Sequence, residues 1–315
     1  MKLLFLIISI FCSINNYSQQ QKDPQLFSKE EISINTLLKG TLYFPVKPTK
    51  KTNLVILIAG SGPTNRDGNQ IGLINNSLKY LAEELAKQNS AVFSYDKRII
   101  AQMIAGTVNE KTLSFDDFIN DAKEVITYFK TQNKYNKIIV AGHSEGSLIG
   151  MIAAKDNADA YISLAGAGRT IDFVIEDQIE KQAPFLKEEV KKDLELLKKG
   201  ETFELKNPIL ASLFRESVQP YMISWIKYDP TVEIKKLNIP ILIINGTKDL
   251  QVAISEAELL KKAKREATIE IITNMNHLFK EIKGDTAENK NSYTNPDLPV
   301  IPQLITIVNQ FLKTL

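Results

Sequence analysis

The amino-acid sequence predicts an α/β protein with a mostly parallel central sheet, helices on both faces of the sheet and a helical cap insertion. Three observations carry this prediction. Uninterrupted apolar runs of strand length alternate with amphipathic helical segments, as in sheets that are buried on both faces. Hydrophobic residues make up 43% of the 315 residues, which is enough to cover two faces of a large sheet. One stretch, 169–228, contains no strand pattern and is expected to form the cap.

Apolar periodicity places the individual elements in chain order within one domain over residues 30–315. Residues 19–29 are polar and are expected to be loose, whereas the alternation over Glu30–Phe44 predicts a β-hairpin that turns near Lys39–Gly40. Continuous apolar runs predict strands at 54–59, 91–95, 137–141, 160–165, 239–245 and 268–272. Helical spacing of apolar residues predicts helices at 78–88, 115–129, 147–155, 255–264 and 302–312.

The stretch 169–228 interrupts this alternation. In it Leu186, Val190, Leu194 and Leu197 share one face of a helix that is rich in lysine and glutamate. Ligands of open α/β sheets bind at the carboxyl ends of the strands, so a helical insertion there would wall the binding site. The alternative is a solvated decoration that lies far from the site.

The N-terminus has the pattern of a secretory signal peptide. Lys2 precedes a short apolar stretch that is too short to span a bilayer comfortably, so residues 1–18 are expected to be removed on export. Cys12 is the only cysteine, and the bulky Phe11 before it disfavours a lipoprotein site. We therefore expect a periplasmic or secreted protein without a stable membrane anchor. The alternative is a buried N-terminal strand or an anchor.

The charge balance excludes some classes of partner. The formal net charge is +2, and the lysines are scattered among glutamates as on an ordinary solvated surface. A nucleic-acid-binding protein would carry a strong basic excess, so no nucleic-acid partner is expected.

The segment Gly142-His143-Ser144-Glu145-Gly146 is the most informative motif. It lies between an apolar strand and a small apolar helix, and a Gly-x-Ser-x-Gly turn in that position is a nucleophile elbow. The turn holds Ser144 in a strained conformation that exposes its hydroxyl, and side chains on the flanking glycines would collide with neighbouring elements. The alternative is a glycine-rich turn without chemistry, of the kind that phosphate-binding folds use.

A serine nucleophile needs a base, and the base needs an orienting carboxylate. The chain has two histidines, and His143 inside the elbow should point away from Ser144, which leaves His277 as the base. Asp249 follows the strand that precedes the strand of His277 in the chain, so it is the expected carboxylate. Its rival, Asp229, lies ahead of that strand, on the wrong side.

An oxyanion hole requires two N–H groups directed at the developing charge. The N–H of Glu145, directly after the nucleophile, is the first expected donor. The second should come from the glycine-rich loop over 60–69, and Ser61 is its expected donor. The loop lacks the Lys-Ser/Thr ending of a phosphate-binding loop, and a calcium site at Asp67–Asn69 would have too few acidic ligands.

Over nearly all of residues 30–315 the chain resembles the α/β-hydrolase superfamily, especially secreted bacterial serine esterases and S33-type aminopeptidase-like proteins. The resemblance rests on a Gly-Ser-Gly-Pro-x-x-Arg-Asp-Gly loop at Gly60–Gly68 and on Tyr-Asp-Lys-Arg at Tyr95–Arg98. Many relatives continue with Arg-Gly-x-Gly-x-Ser, whereas this chain continues with Ile99-Ile100-Ala101. The resemblance implies an α/β-hydrolase fold with Ser144, Asp249 and His277 as the catalytic triad.

Together these features predict a serine hydrolase that cleaves small carboxylic esters through an acyl-enzyme on Ser144. This chemistry requires no metal and no organic cofactor. The first alternative is a peptidase of short peptides, in which Glu176, Asp177 or Glu180 would hold the free amine. The second alternative is a catalytically silent hydrolase fold that serves as a binding protein.

Overall fold

A computed structural model describes residues 26–49 and 51–315. The strands are β1 (Phe27–Ser33), β2 (Lys39–Pro45), β3 (Leu54–Ile58), β4 (Ala91–Tyr95), β5 (Ile138–His143), β6 (Ala160–Leu164), β7 (Ile241–Gly246) and β8 (Thr268–Ile272). They form one eight-stranded sheet in the order β1-β2-β4-β3-β5-β6-β7-β8. β2 pairs antiparallel with β1 and β4, and every pair from β4 to β8 is parallel, so the predicted mostly parallel sheet is confirmed.

Helices cover both faces of the sheet. They are α1 (Ser77–Lys87), α2 (Arg98–Ala105), α3 (Phe115–Gln132), α4 (Glu145–Ala154), α5 (Ile171–Gln182), α6 (Lys187–Lys198), α7 (Ala211–Phe214), α8 (Gln219–Ile226), α9 (Pro230–Lys235), α10 (Ile254–Ala263), α11 (Thr286–Asn291) and α12 (Pro302–Lys313). α1 and α12 bury their apolar residues on one face, and α3, α4 and α10 on the other. In β3, Ile56 faces α3, α4 and α10, whereas Val55 and Leu57 face α1 and α12. Both faces of the strand are therefore buried, which explains its uninterrupted apolar run.

The N-terminal hairpin forms, but its details differ from the prediction. The turn lies between Ser33 and Lys39 rather than at Lys39–Gly40. The side chain of Asn35 closes this turn, because its Oδ1 accepts the N–H groups of Leu37 and Leu38, each at 2.8 Å. β1 begins at Phe27, inside the segment that was expected to be loose, and the Phe27 ring packs 6.0 Å from that of Tyr43. Alternation reports which residues share a face, and it does not locate the turn.

The insertion between β6 and β7 contains helices and, in the part of the chain that is described, no strand. Helices α5, α6 and α8 pack on one another, and α8 packs on α3, where the rings of Trp225 and Phe115 stack 5.4 Å apart. The Ser224 hydroxyl also accepts the Phe115 N–H at 2.8 Å. α9 instead packs against α4 and α10, so it belongs to the core. We call residues 171–226 the cap.

The expectations for the N-terminus lie outside the described residues, since these begin at residue 26. They include the signal peptide over 1–18 and the assignment of Cys12. Within 26–49 and 51–315, no helix combines the length and the apolar character needed to cross a bilayer.

Candidate active site

The predicted elbow joins β5 to α4 at a single strained residue. Ser144 has φ 54° and ψ −120°, a positive-φ conformation that L-residues rarely adopt, and α4 begins at the next residue. The flanking glycines allow this close packing. A Cβ on Gly142 would lie 2.0 Å from the Gly146 carbonyl oxygen, and one on Gly146 would lie 2.4 Å from the carbonyl oxygen of Ile58. The turn therefore presses the start of α4 against the end of β3.

Replacing Gly146 with alanine should destabilise the fold by about 3 kcal/mol or more, because the added methyl meets backbone atoms of Ile58 and Ala59 that have no room to move. Chemical denaturation would measure the loss. Gly200→Ala is the reference. Gly200, unlike Gly146, has a positive φ, but nothing lies within 4 Å of its Cβ position, so this variant should cost only the backbone strain of about 1–2 kcal/mol. Equal losses for the two variants would contradict the collision.

Asp249 and His277 lie together, as the sequence predicted. His277 Nδ1 is 2.8 Å from Asp249 Oδ2, and the two side chains are 3% and 1% exposed. The other oxygen, Asp249 Oδ1, accepts the backbone N–H groups of Gln251 at 2.8 Å and Val252 at 2.9 Å. With its carboxylate fixed at both oxygens, Asp249 can hold the His277 ring with Nδ1–H as donor, which leaves Nε2 as the acceptor.

The rival carboxylate has a different task. Asp229 Oδ1 accepts the N–H of Thr231 at 2.8 Å and its hydroxyl at 2.7 Å, so Asp229 is the N-cap of α9. This agrees with the expectation from chain order that Asp229 is not the carboxylate that orients His277.

The second histidine supports the first, a role that the sequence analysis did not identify. His143 Nε2 lies 2.9 Å from the His277 carbonyl oxygen, which can only accept a hydrogen bond. Burial, with a contribution from His277, lowers the pKa of His143 to about 3, so its ring is neutral and carries its proton on Nε2. The two imidazole rings are 4.7 Å apart. His143 thus holds the backbone of the His277 loop against the elbow.

The predicted nucleophile lines the cavity in front of this pair. Among the described residues, the Ser144 hydroxyl makes no hydrogen bond with His277. Such bonds are often long in free enzymes and tighten when substrate binds. Gln251 and Val252, which bond Asp249, line the same cavity as Ser144, so the Asp249–His277 pair lies just behind its wall.

Ser61 and Glu145, the residues predicted to supply the oxyanion donors, line the same cavity as Ser144. A Cβ built on Gly60 would lie 3.2 Å from Ser144 Cβ, which brings the glycine-rich loop against the nucleophile. The Ser61 N–H donates to none of the described residues, and the Glu145 N–H is in the first turn of α4, where no intrahelical acceptor exists. The Ser61 carbonyl accepts the Thr64 hydroxyl at 2.8 Å, which closes the loop.

Ion pairs fix the glycine-rich loop over 60–69 and the Tyr95–Arg98 segment at the end of β4. Arg66 binds Asp96 through its Nη2 at 2.6 Å, and the Arg66 N–H donates to the same carboxylate at 2.8 Å. Arg98 turns the other way and binds Asp121 at 2.7 Å and Asp117 at 2.9 Å. The Ile99-Ile100-Ala101 departure forms part of α2, a helix that the sequence analysis did not predict.

The cavity has a volume of about 390 Å³ and lies between the strand ends and the cap. Ser61, Ser144 and Glu145 stand at its base, and its cap wall is mainly apolar, formed by Val174, Ile175, Val218, Tyr221, Met222 and Trp225. The cap therefore forms one wall of the cavity that Ser144 lines. The hydroxyl of Tyr221 is buried without a hydrogen-bond partner among the described residues, and burial raises the Tyr221 pKa well above its usual value. The Glu145 carboxylate adds to this rise in the Tyr221 pKa, so Tyr221 is neutral and its hydroxyl faces Glu145 at this wall.

Every charged side chain that lines the cavity has an oppositely charged partner. Lys97 pairs with Glu145 at 2.6 Å, and Arg215 binds Glu110 at 2.5 and 2.9 Å. Arg169 binds Asp177 at 2.5 Å and Glu256 through its Nε at 2.7 Å. In the part of the chain that is described, no three His, Cys, Asp or Glu side chains lie in a group that could hold a metal ion.

Known proteins share the family and the fold of this chain. Residues 41–263 match the family described as BD-FAE. The chain is 29% identical to Esterase EstD of Thermotoga maritima over 269 residues, which cover 82% of this chain and 61% of that protein. It therefore spans about three fifths of the length of this curated relative.

Two solved structures share the fold. Est1E from Butyrivibrio proteoclasticus superposes with a TM-score of 0.58 at 17% identity, covering 91% of this chain and 99% of that one. The acylaminoacyl peptidase of Pyrococcus horikoshii gives a TM-score of 0.55 at 16% identity, covering 93% of this chain and 42% of that one. With its parallel sheet, its elbow and a family match over residues 41–263, the chain has the α/β-hydrolase fold and belongs to the BD-FAE family.

Proposed function

We propose that this protein hydrolyses uncharged carboxylic esters through an acyl-enzyme on Ser144. The observation that carries the proposal is the buried His277–Asp249 pair, joined at 2.8 Å, behind a cavity whose base holds a serine in the strained elbow conformation. This combination of residues suits acyl transfer. The similarity to Esterase EstD supports the same reaction class.

In the proposed reaction, His277 Nε2 takes the proton of the Ser144 hydroxyl while the oxygen attacks the ester carbonyl carbon. The N–H groups of Ser61 and Glu145 bind the resulting oxyanion. When the tetrahedral intermediate collapses, the carbon–oxygen bond to the alcohol breaks and His277 gives its proton to the departing oxygen. Water, deprotonated by His277, then attacks the acyl-enzyme and releases the acid and the free serine. Asp249 stabilises the imidazolium in both half-reactions.

The charge pairing of the cavity favours uncharged acyl groups. Both carboxylates that line it, Glu110 and Glu145, already bind cations, so neither is free to hold a substrate amine. Glu176, Asp177 and Glu180, the candidates for gripping a peptide N-terminus, do not line this cavity. Asp177 binds Arg169, and Glu180 binds Lys187 on the surface. The peptidase alternative therefore has less support than ester hydrolysis.

A substrate panel tests the proposal. We expect the protein to turn over p-nitrophenyl esters of neutral acyl groups, to act poorly on the corresponding succinyl monoester, and to release little product from aminoacyl p-nitroanilides. A charged acyl group would enter an apolar cavity without a free counter-ion, which is costly. Preference for the aminoacyl anilides would support the peptidase alternative instead.

Labelling with a fluorophosphonate separates the enzyme from a silent binding protein. An activated serine attacks the phosphorus and becomes covalently modified, whereas an unactivated hydroxyl does not. We expect one adduct per chain, located at Ser144 by peptide mass spectrometry. A protein that neither labels nor turns over any ester would contradict the proposed function.

A further inference from the structure

Lys97 is a buried cation that connects the two halves of the predicted oxyanion hole. Its Nζ lies 2.6 Å from Glu145 Oε1 and 3.1 Å from the Gly60 carbonyl oxygen. The Lys97 and Glu145 side chains are only 4% and 1% exposed. The Phe118 ring lies under the ammonium group, 4.5 Å from Nζ. The lysine is therefore fixed from three sides and is not a mobile surface charge.

The hydrogen bond from Lys97 to the Gly60 carbonyl oxygen restricts the direction in which the Ser61 N–H points. The Gly60 carbonyl and the Ser61 N–H belong to one planar peptide group, and in a trans peptide they point in opposite directions. The structure contains no cis peptide bond among the described residues. A donor that holds the Gly60 oxygen on one side thus determines where the Ser61 N–H points on the other. The ammonium charge also polarises the peptide, which strengthens its N–H as a donor.

The hydrogen bond from Lys97 to the Glu145 carboxylate affects the second predicted oxyanion donor, the Glu145 N–H. Glu145 is the first residue of α4, and its own N–H follows the nucleophile directly. Its side chain turns to Lys97, so the ammonium group joins the loop after β3 to the start of α4. These contacts span 37 residues from Gly60 to Lys97 and 48 residues from Lys97 to Glu145.

We propose that Lys97 is a positioning residue that aligns the Ser61 and Glu145 N–H groups into one oxyanion hole. The proposal rests on the proposed esterase function. Lys97 need not touch the substrate, because it acts through the orientation of the Gly60–Ser61 peptide. The negative charge of Glu145 balances the positive charge of Lys97, so this ion pair adds no net charge to the cavity.

The test compares a charge-free pair with a variant that keeps the lysine. Lys97→Met alone would leave Glu145 buried and unpaired, which is strongly destabilising. The double variant Lys97→Met/Glu145→Gln removes both charges and the bond to Gly60. Glu145→Gln alone removes the counter-charge of Lys97, but its amide oxygen can still accept a hydrogen bond from the ammonium group and the bond from Lys97 to Gly60 is retained, so it is the reference for the double variant. Folding is checked by thermal denaturation, and the parent protein becomes the reference if the single variant does not fold.

The readout is hydrolysis of an ester and of its thionoester, in which sulfur replaces the carbonyl oxygen. Sulfur accepts hydrogen bonds poorly, so the rate ratio between the two substrates reports on the oxyanion donors. We expect the double variant to show a kcat about 10- to 100-fold lower than the reference for the ester, with KM nearly unchanged. The ratio of ester to thionoester rates should fall with it. An unchanged kcat, or a lower kcat with an unchanged ratio, would overturn the role of Lys97.

A neighbouring ion pair provides the control. Arg98→Met/Asp121→Asn removes a partly buried pair that begins one residue further along the chain and does not contact the loop at Gly60. It should lower the melting temperature while leaving the ratio of ester to thionoester rates at the parental value. A fall in this control equal to that of the Lys97 variant would show that general loosening causes the effect. Labelling of the parent at Ser144 tests the esterase function separately, so failure of one inference does not imply failure of the other.

Discussion

Replacing Ser144 with alanine is expected to lower the turnover of a p-nitrophenyl ester by about a million-fold. The variant keeps the cavity, the oxyanion donors and the His277–Asp249 pair, but it has no oxygen that can form the acyl-enzyme. Residual hydrolysis should then come only from binding and from stabilisation of the oxyanion, by direct attack of water. Steady-state kinetics at high enzyme concentration, with the fluorophosphonate adduct measured in parallel, would check both losses.

The matched control is Ser255→Ala. Ser255 is an exposed serine in α10, outside the cavity, and alanine is a good residue for a helix. This variant should keep the parental turnover and the parental adduct. Ester turnover in Ser144→Ala within tenfold of the parent, with the adduct still present, would assign the reaction to another residue.

The parallel sheet could be predicted from the sequence because burial on both faces leaves an uninterrupted apolar run at every central strand. The runs at Leu54 and Ile138 both became inner strands of the sheet. The order of the segments in the chain also favours Asp249 over Asp229 as the carboxylate that orients His277. A carboxylate at the carboxyl end of a parallel strand lies at the edge where the other predicted site residues lie, and Asp229 does not occupy such a position.

What the sequence did not supply are contacts between distant segments. The sequence identifies His143 as part of the elbow, but nothing local indicates that its ring donates a hydrogen bond to the His277 carbonyl, 134 residues away. In the sequence, Lys97 is only one residue of the Tyr-Asp-Lys-Arg segment, and its contacts with Gly60 and Glu145 exist only in the folded protein. Periodicity indicates that a residue is buried, and it does not identify the partner.

The cap shows the same limit. Apolar spacing at Val190 and Leu194 predicted a helix, and both residues are buried in α6. The position of the cap on α3 depends instead on pairs such as Trp225 with Phe115, whose rings come from segments 110 residues apart in the chain. The shape of the cavity is set by these pairs, which is why the acyl specificity could not be predicted from the sequence.

The second large effect is expected for Asp249→Asn, which should lower kcat by about 10⁴-fold while the protein stays folded. Asparagine has the shape of aspartate, and its carbonyl oxygen can still accept the N–H groups of Gln251 and Val252, which bond Oδ1 at 2.8 and 2.9 Å. Those two bonds direct the new amide NH₂ toward His277 Nδ1, in the place of Oδ2. The amide is a donor, so Nδ1 must become an acceptor and the imidazole proton must move to Nε2.

That tautomer is inactive, because Nε2 then carries a proton and cannot take the one from Ser144. The loss should appear in kcat with KM nearly unchanged, since Asp249 lies behind the cavity wall and does not touch substrate. Asp229→Asn is the matched control. Asparagine is as good an N-cap as aspartate, so α9 should keep its start at Pro230 and turnover should stay near the parental value. If Asp249→Asn lost less than tenfold, His277 would hold the reactive tautomer without Asp249. The buried 2.8 Å bond would then serve the stability of the loop and not the direction of proton transfer.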